Sequence, residues 1–156
     1  AGVPMGGTLE RQPGGSDHGA PTIAVWASKD AIGANLDRIQ VIQGWVGDDG
    51  KSRERIYDVA LSDPARRQAD GGVTAVGDTV NREQASYSNS IGAPQLATLW
   101  RDPDFDPAQE AFYYARVIEI PTPRWSTFDA VALGIEVPEP SAIQERAVTS
   151  AIWYRP

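Results

Sequence analysis

Apolar and polar residues alternate with a period of two along much of this chain, and that pattern predicts strands. Residues 21–27 (PTIAVWA) predict a first strand. Residues 38–46 (RIQVIQGWV) predict a second, with Ile39, Val41 and Gln43 on one face and Gln40, Ile42 and Gly44 on the other. Gly47-Asp48-Asp49-Gly50-Lys51 is a hairpin signal, and residues 53–61 return as the partner strand. Further strands are expected at 73–76, 85–91, 95–101, 111–120 and 149–154. Residues 121–148 form a long proline-rimmed crossover. In it, Ser126 or Thr127 is expected to cap a short helix that Gly134 ends, with a second helical turn at 141–146. A connection of that length inside a compact domain often carries function. Residues 1–20, rich in Gly and Pro, read as a linker or lead-in, leaving 21–156 as the domain. The fold class expected is mainly β. It is an antiparallel β-sandwich, immunoglobulin-like or related, with one long crossover carrying short helices. Trp26, Trp45, Trp100, Trp125 and Trp153 are expected in its core by default.

Composition narrows the chemistry. The 156 residues include no Cys, which excludes a disulfide framework, an iron–sulfur cluster, a zinc finger and a thiol nucleophile. A single histidine, His18, argues against a His-built metal site or a Ser–His relay, and reads as a surface bystander in the lead-in. Gly and Pro make up 27 of 156 residues, too many for a helical bundle and too few for disorder. The net charge of −7 lacks the positive footprint a nucleic-acid binder uses, and disfavours an anionic membrane surface. No apolar run reaches the length of a membrane span. Twelve of the 14 basic residues are arginine, which fits either bidentate capture of anions or a coding bias. The opening Ala1-Gly2-Val3-Pro4 has no initiator Met and no signal peptide, so a mature protein or an excised domain is expected.

Few residues nominate themselves for chemistry. Asp102, Asp104 and Asp106 have the spacing that opens a calcium loop, but Pro107 and Tyr113 stand where such a loop needs Gly and Glu. They are weak metal candidates beside the plainer reading of an acidic turn; a hydrolase built on them with calcium is the remotest reading. No phosphate loop is present, because no Lys-Ser/Thr follows a glycine-rich turn. Twenty-one acids offer too many pairs to nominate a glycosidase dyad. Arg124 beside Trp125, at the start of the crossover, reads either as a binding lip or as a plug with a paired arginine.

The runs at 33–40 (GANLDRIQ) with Gly44-Trp45, 100–107 (WRDPDFDP) and 112–125 (FYYARVIEIPTPRW) resemble the bacterial domain-of-unknown-function 3604 family. So do 2–7 (GVPMGG), 143–146 (IQER) and 152–154 (IWY). The resemblance spans nearly the whole chain and carries no substrate. It implies a longer protein in which the part ahead of this region looks like a metal-dependent hydrolase of the polymerase-and-histidinol-phosphatase (PHP) type. Divalent metal is expected only in that missing domain, with no cofactor here. This chain is then expected to be a non-catalytic C-terminal accessory module docked on its own N-terminal domain. Met5, Arg116, Arg124, Trp125, Gln144 and Arg146 are the expected docking or rim residues. The family's relatives favour the bacterial envelope. The alternative is a carbohydrate- or ligand-binding sandwich, for which Trp125 would cluster with Trp26, Tyr87 or Trp100.

Overall fold

A computed structural model describes residues 2–11 and 19–156. His18 and residues 14–17 lie outside them. The elements in chain order are β1 (Thr8–Glu10), β2 (Thr22–Ser28), β3 (Leu36–Val46) and β4 (Ser52–Leu61), then a 3₁₀ turn at Pro64–Arg66. They continue with β5 (Gln95–Arg101), β6 (Ala111–Glu119), β7 (Thr122–Pro123), α1 (Trp125–Leu133), β8 (Ala142–Ile143), β9 (Arg146–Val148) and β10 (Ile152–Arg155).

The chain folds as a mainly β, sandwich-like structure. Its main sheet has six strands in the order β1-β10-β6-β3-β4, with β9 also pairing β6. The second layer is the two-stranded sheet β2-β5, in register over all seven residues of each strand. Leu96 of β5 joins Leu36, Ile39 and Ala115 of the main sheet, with Val25 and Ala27 of β2 packed beside them. Val41, Ala111, Tyr113 and Tyr154 continue that core, flanked by Ile23, Trp100 and Phe105.

The central strand, β3, is flanked by β4 and β6, and its residues from Leu36 to Gly44 are buried except for the half-buried Arg38. Its two glutamines are each satisfied by a side chain, as buried polar groups must be: Gln40 donates to Asp58 at 2.8 Å and Gln43 to the Tyr113 hydroxyl at 3.1 Å.

Several expectations are corrected. Residues 73–76 form no strand, only a bridge from Val73 to Arg67. Residues 85–91 run as turns after an Asn81–Ser86 bridge, with Ala85 at φ 47°. The alternation there comes from Ser and Asn, which favour turns; Asn89 bonds back to Gly33 and Asn35, and the Ser88 and Ser90 hydroxyls meet each other. Residues 141–146 hold no helix: Ala142–Ile143 pairs β7, and Arg146 begins β9 against β6. The α1 N-cap is Arg124, not Ser126 or Thr127, while Gly134 ends the helix in the left-handed conformation as expected. Thr127 instead donates its hydroxyl to the Ser141 carbonyl at 2.6 Å. Thr8–Glu10, inside the segment read as a lead-in, is a strand, and it pairs parallel to β10 in an otherwise antiparallel sheet. No tryptophan is fully buried. Trp26, Trp125 and Trp153 are exposed, and only Trp45 and Trp100 turn toward the core.

The irregular residues 62–94 are latched at their far end. Asn35 donates to the carbonyls of Asn89 and Ile91, and Leu36 and Ala93 exchange backbone hydrogen bonds. Gly92 sits in that latch at φ 77°, where a Cβ would stand 2.9 Å from the Leu36 carbonyl oxygen and 2.7 Å from Ile120. Gly92→Ala combines left-handed strain with a clash against fixed backbone. It should cost about 2–4 kcal/mol, read as a lower urea midpoint at unchanged m.

Candidate functional site

At the start of β3 the Asp37 carboxylate is fully buried. Arg66 Nη2 bonds one oxygen at 2.6 Å. The other accepts from Arg38 Nη1 and from Gln144 Nε2, the latter at 2.9 Å. Arg66 also donates to the Asp37 and Thr74 carbonyls, and Gln144 to that of Glu119. Arg38 makes a second ion pair, Nε to Asp58 at 3.1 Å. Asp58 accepts from Gln40, and Gln40 accepts from Arg116 Nε and Nη2 at 2.9 and 2.7 Å. The result is a continuous polar chain from Arg66 to Arg116 across one end of the main sheet.

A second network anchors the acidic turn after β5. Asp102 is buried, and its carboxylate accepts from Tyr113 at 2.7 Å and from the Asp104 backbone N–H at 2.9 Å. The Tyr57 hydroxyl points between Asp102 and Asp104, closest to Asp104 at 3.0 Å. Asp104 also pairs with Arg55 at 2.6 Å, and the Arg55 guanidinium lies over the Trp45 ring. Asp106 accepts from Ala108 N within its own turn. Burial comes first in pushing up both phenols. For Tyr57, Asp104 and Asp102 add to it against Arg55, and the pKa reaches about 12. For Tyr113 the bond to Asp102 adds a further rise.

The remaining feature is α1. It buries only Thr127 and Ala130, leaving Trp125 69% and Leu133 70% exposed, with Phe128 half-exposed. Arg124, at its N-cap, makes no side-chain hydrogen bond or ion pair among the described residues. Trp125 therefore does not plug the sandwich, and Arg124 has no local acid as partner.

The structure draws three of the expected docking residues into one region. Arg116 and Gln144 belong to the polar chain, and Arg146 donates to the Gln144 carbonyl at 3.1 Å. Arg124 and Trp125 sit on α1, joined to this region through the β7–β8 pair. Met5 lies apart, exposed in the turn before β1 that bonds to Ala151. Asp102 and Asp104 serve the tyrosine and arginine bonds above, and Asp106 serves its own turn. Among the described residues, no group of three or more His, Asp or Glu side chains is placed to hold a metal ion. No helix there is long and apolar enough to cross a membrane. Trp125 makes no ring contact with Trp26, Tyr87 or Trp100. Sequence reasoning missed Asp37, Arg38, Arg66 and Asp58. Only the Asp37-Arg38 pair, set between Leu36 and Ile39 in β3, could have signalled them.

Two packed sheets, two structural polar networks and one uncovered apolar helix define a β-sandwich module. Residues 1–156 match the family described as protein of unknown function (DUF3604), and the chain belongs to that family. Neither the curated proteins nor the solved structures give a match.

Asp37→Ala leaves the Arg66 guanidinium buried without its counter-charge, and should cost about 3–5 kcal/mol in chemical denaturation. Arg146→Ala, on an exposed side chain, should stay within about 0.5 kcal/mol. The phenols predict the alkaline limb. A pKa raised on folding means the native state holds the proton more tightly. That stability is fully present below the ordinary tyrosine pKa of about 10 and is lost as pH rises through about 12. Stability should fall across that window, and Tyr57→Phe should flatten the fall. Absorbance at 295 nm should show Tyr57 and Tyr113 still protonated above the ordinary tyrosine pKa of about 10.

Proposed function

We propose that this chain is a non-catalytic accessory β-sandwich module. It would form the C-terminal part of a longer protein whose preceding segment is a PHP-type metal-dependent hydrolase, and α1 would be the face that docks on that segment. The carrying observation is the exposure of Trp125, Phe128 and Leu133 on a helix that buries only Thr127 and Ala130. A helix apolar on nearly all sides is ordinarily covered. Apolar surface of this kind marks an interaction site. Covering the three side chains is worth about 1.5–3 kcal/mol each. Trp125 has the character of a buried anchor, and the unpaired Arg124 beside it suits the polar rim of an interface.

In this reading the partner is the protein's own N-terminal segment, in cis, with neither nucleic acid nor membrane insertion involved. Metal and catalysis belong to that segment. The net charge of −7 and the protein-bonded carboxylates at 102–106 support this division.

The test uses the chain and the separately expressed hydrolase segment. The double variant Trp125→Ala, Leu133→Ala should keep its unfolding free energy within about 0.5 kcal/mol of wild type, because both side chains are exposed. It should bind the hydrolase segment at least about tenfold more weakly by calorimetry. The reading fails if wild-type chain and segment do not associate, or if the chain alone hydrolyses phosphoesters with added metal.

A further inference from the structure

The main sheet has an outer face that no second layer covers, and it is built differently from α1. Strand register puts Glu54, Gly44, Phe112 and Trp153 side by side across β4, β3, β6 and β10. Ile56, Ile42 and Tyr114 make the next row. The Phe112 ring lies down over Gly44, so close that a Cβ there would stand 2.2 Å from its Cζ. Phe112 stacks on Tyr114 at 6.4 Å with planes 14° apart, and meets Trp153 at 5.3 Å. These rings floor a groove of about 880 Å³, edged by Glu54, Glu110 and Arg155. That volume suits a small-molecule site. The Tyr114 hydroxyl, the Trp153 indole N–H and the side chains of Glu54, Glu110 and Arg155 make no hydrogen bond or ion pair among the described residues.

We propose that this groove binds a neutral oligosaccharide, with sugar rings laid on Phe112, Tyr114 and Trp153 and hydroxyls bonded to Glu54, Glu110 and Arg155. The combination is what selects the ligand. A sugar has apolar C–H faces that stack on aromatic rings and a periphery of hydroxyls that both donate and accept. The groove offers flat rings in its floor, acceptors in two carboxylates, and donors in a guanidinium, an indole and a phenol. A quaternary ammonium needs rings that face one another as walls. Here Phe112 and Tyr114 are nearly parallel with centroids only 6.4 Å apart, which leaves no room for such a group between them. A polyanion is opposed by Glu54, Glu110 and the net charge of −7. Glu54 stands on the edge strand β4 in the same row as Phe112 and Trp153, so its carboxylate flanks the rings at the height of a stacked sugar's hydroxyls.

The 156-residue chain is titrated with cellohexaose, xylohexaose, mannohexaose and maltohexaose, and separately with choline, following tryptophan emission. At least one hexasaccharide should give a saturable change. Amide and indole shifts of wild type in ¹H–¹⁵N spectra should fall at Gly44, Phe112, Tyr114 and Trp153. Trp153→Ala and Glu54→Gln should each weaken binding at least about tenfold, and Trp125→Ala should leave it within about twofold. The proposal is overturned by silence across all four sugars, by shifts that map to another surface, by a response to choline alone, or by binding that Trp153→Ala does not change. The spectral map needs no variant, so it decides even if a substitution unfolds the chain. Failure here leaves the docking role of α1 standing, since Trp125 is read separately.

Discussion

Three distant parts of this chain converge on one carboxylate. Asp37 opens the central strand, Arg66 ends the 3₁₀ turn, and Gln144 follows the short β7–β8 pair. A charge buried this deeply is tolerable only when it is countered and hydrogen-bonded, and Arg38, Arg66 and Gln144 supply donors to both oxygens. The arrangement fixes register more than it adds stability. It holds the loop after β4 against the start of β3, and the crossover against the end of β6. Apolar contacts in the sandwich core would permit sliding; donors aimed at two oxygens do not.

The polar end and the rest of the surface divide the labour. The Asp37 chain and the Asp102–Tyr113 bond spend their charges inside the fold. What remains available to other molecules is aromatic or unpaired: the α1 face around Trp125, and the outer-sheet groove around Phe112 and Trp153. They lie on different elements, so a module could use one to stay attached and the other to recognise a ligand. The small outer sheet also shows Trp26 and Leu99 to solvent. The hollow between them, about 490 Å³, is lined by Ala24, Val25, Ala97 and Thr98 and by no charged side chain.

Local alternation was a good guide where strands pair with their neighbours in sequence. The hairpin of β3 and β4 was legible down to its turn, because Gly47 and Gly50 supply the chain reversal. It failed where the same pattern arises from turn chemistry, as at Ser86, Ser88 and Ser90. It failed again at Ala142–Ile143 and Arg146–Val148, whose pairing depends on strands far back in the chain. The tryptophans misled for another reason. Alternation says which residues share a face but not which face has a second layer, and β2 carries Trp26 on its outward side. The docking candidates Arg116 and Gln144 were visible as unusual side chains on apolar elements. Their pairing with Gln40 and Asp37 was not, because contact across more than 50 residues leaves no local signature.

The pairing of β1 with β10 has a mechanical side. The two strands run parallel, joined by bonds from Gly6 to Ala151, Trp153 to Gly7 and Arg11 to Arg155. A pull on the chain before β1 and a pull after β10 therefore act in opposite directions along the same ladder. That geometry loads all the bonds together in shear rather than peeling them one at a time. A force drawn through this region would be borne at the sheet's edge, leaving the core and the Asp37 anchor unstrained until the ladder gave way.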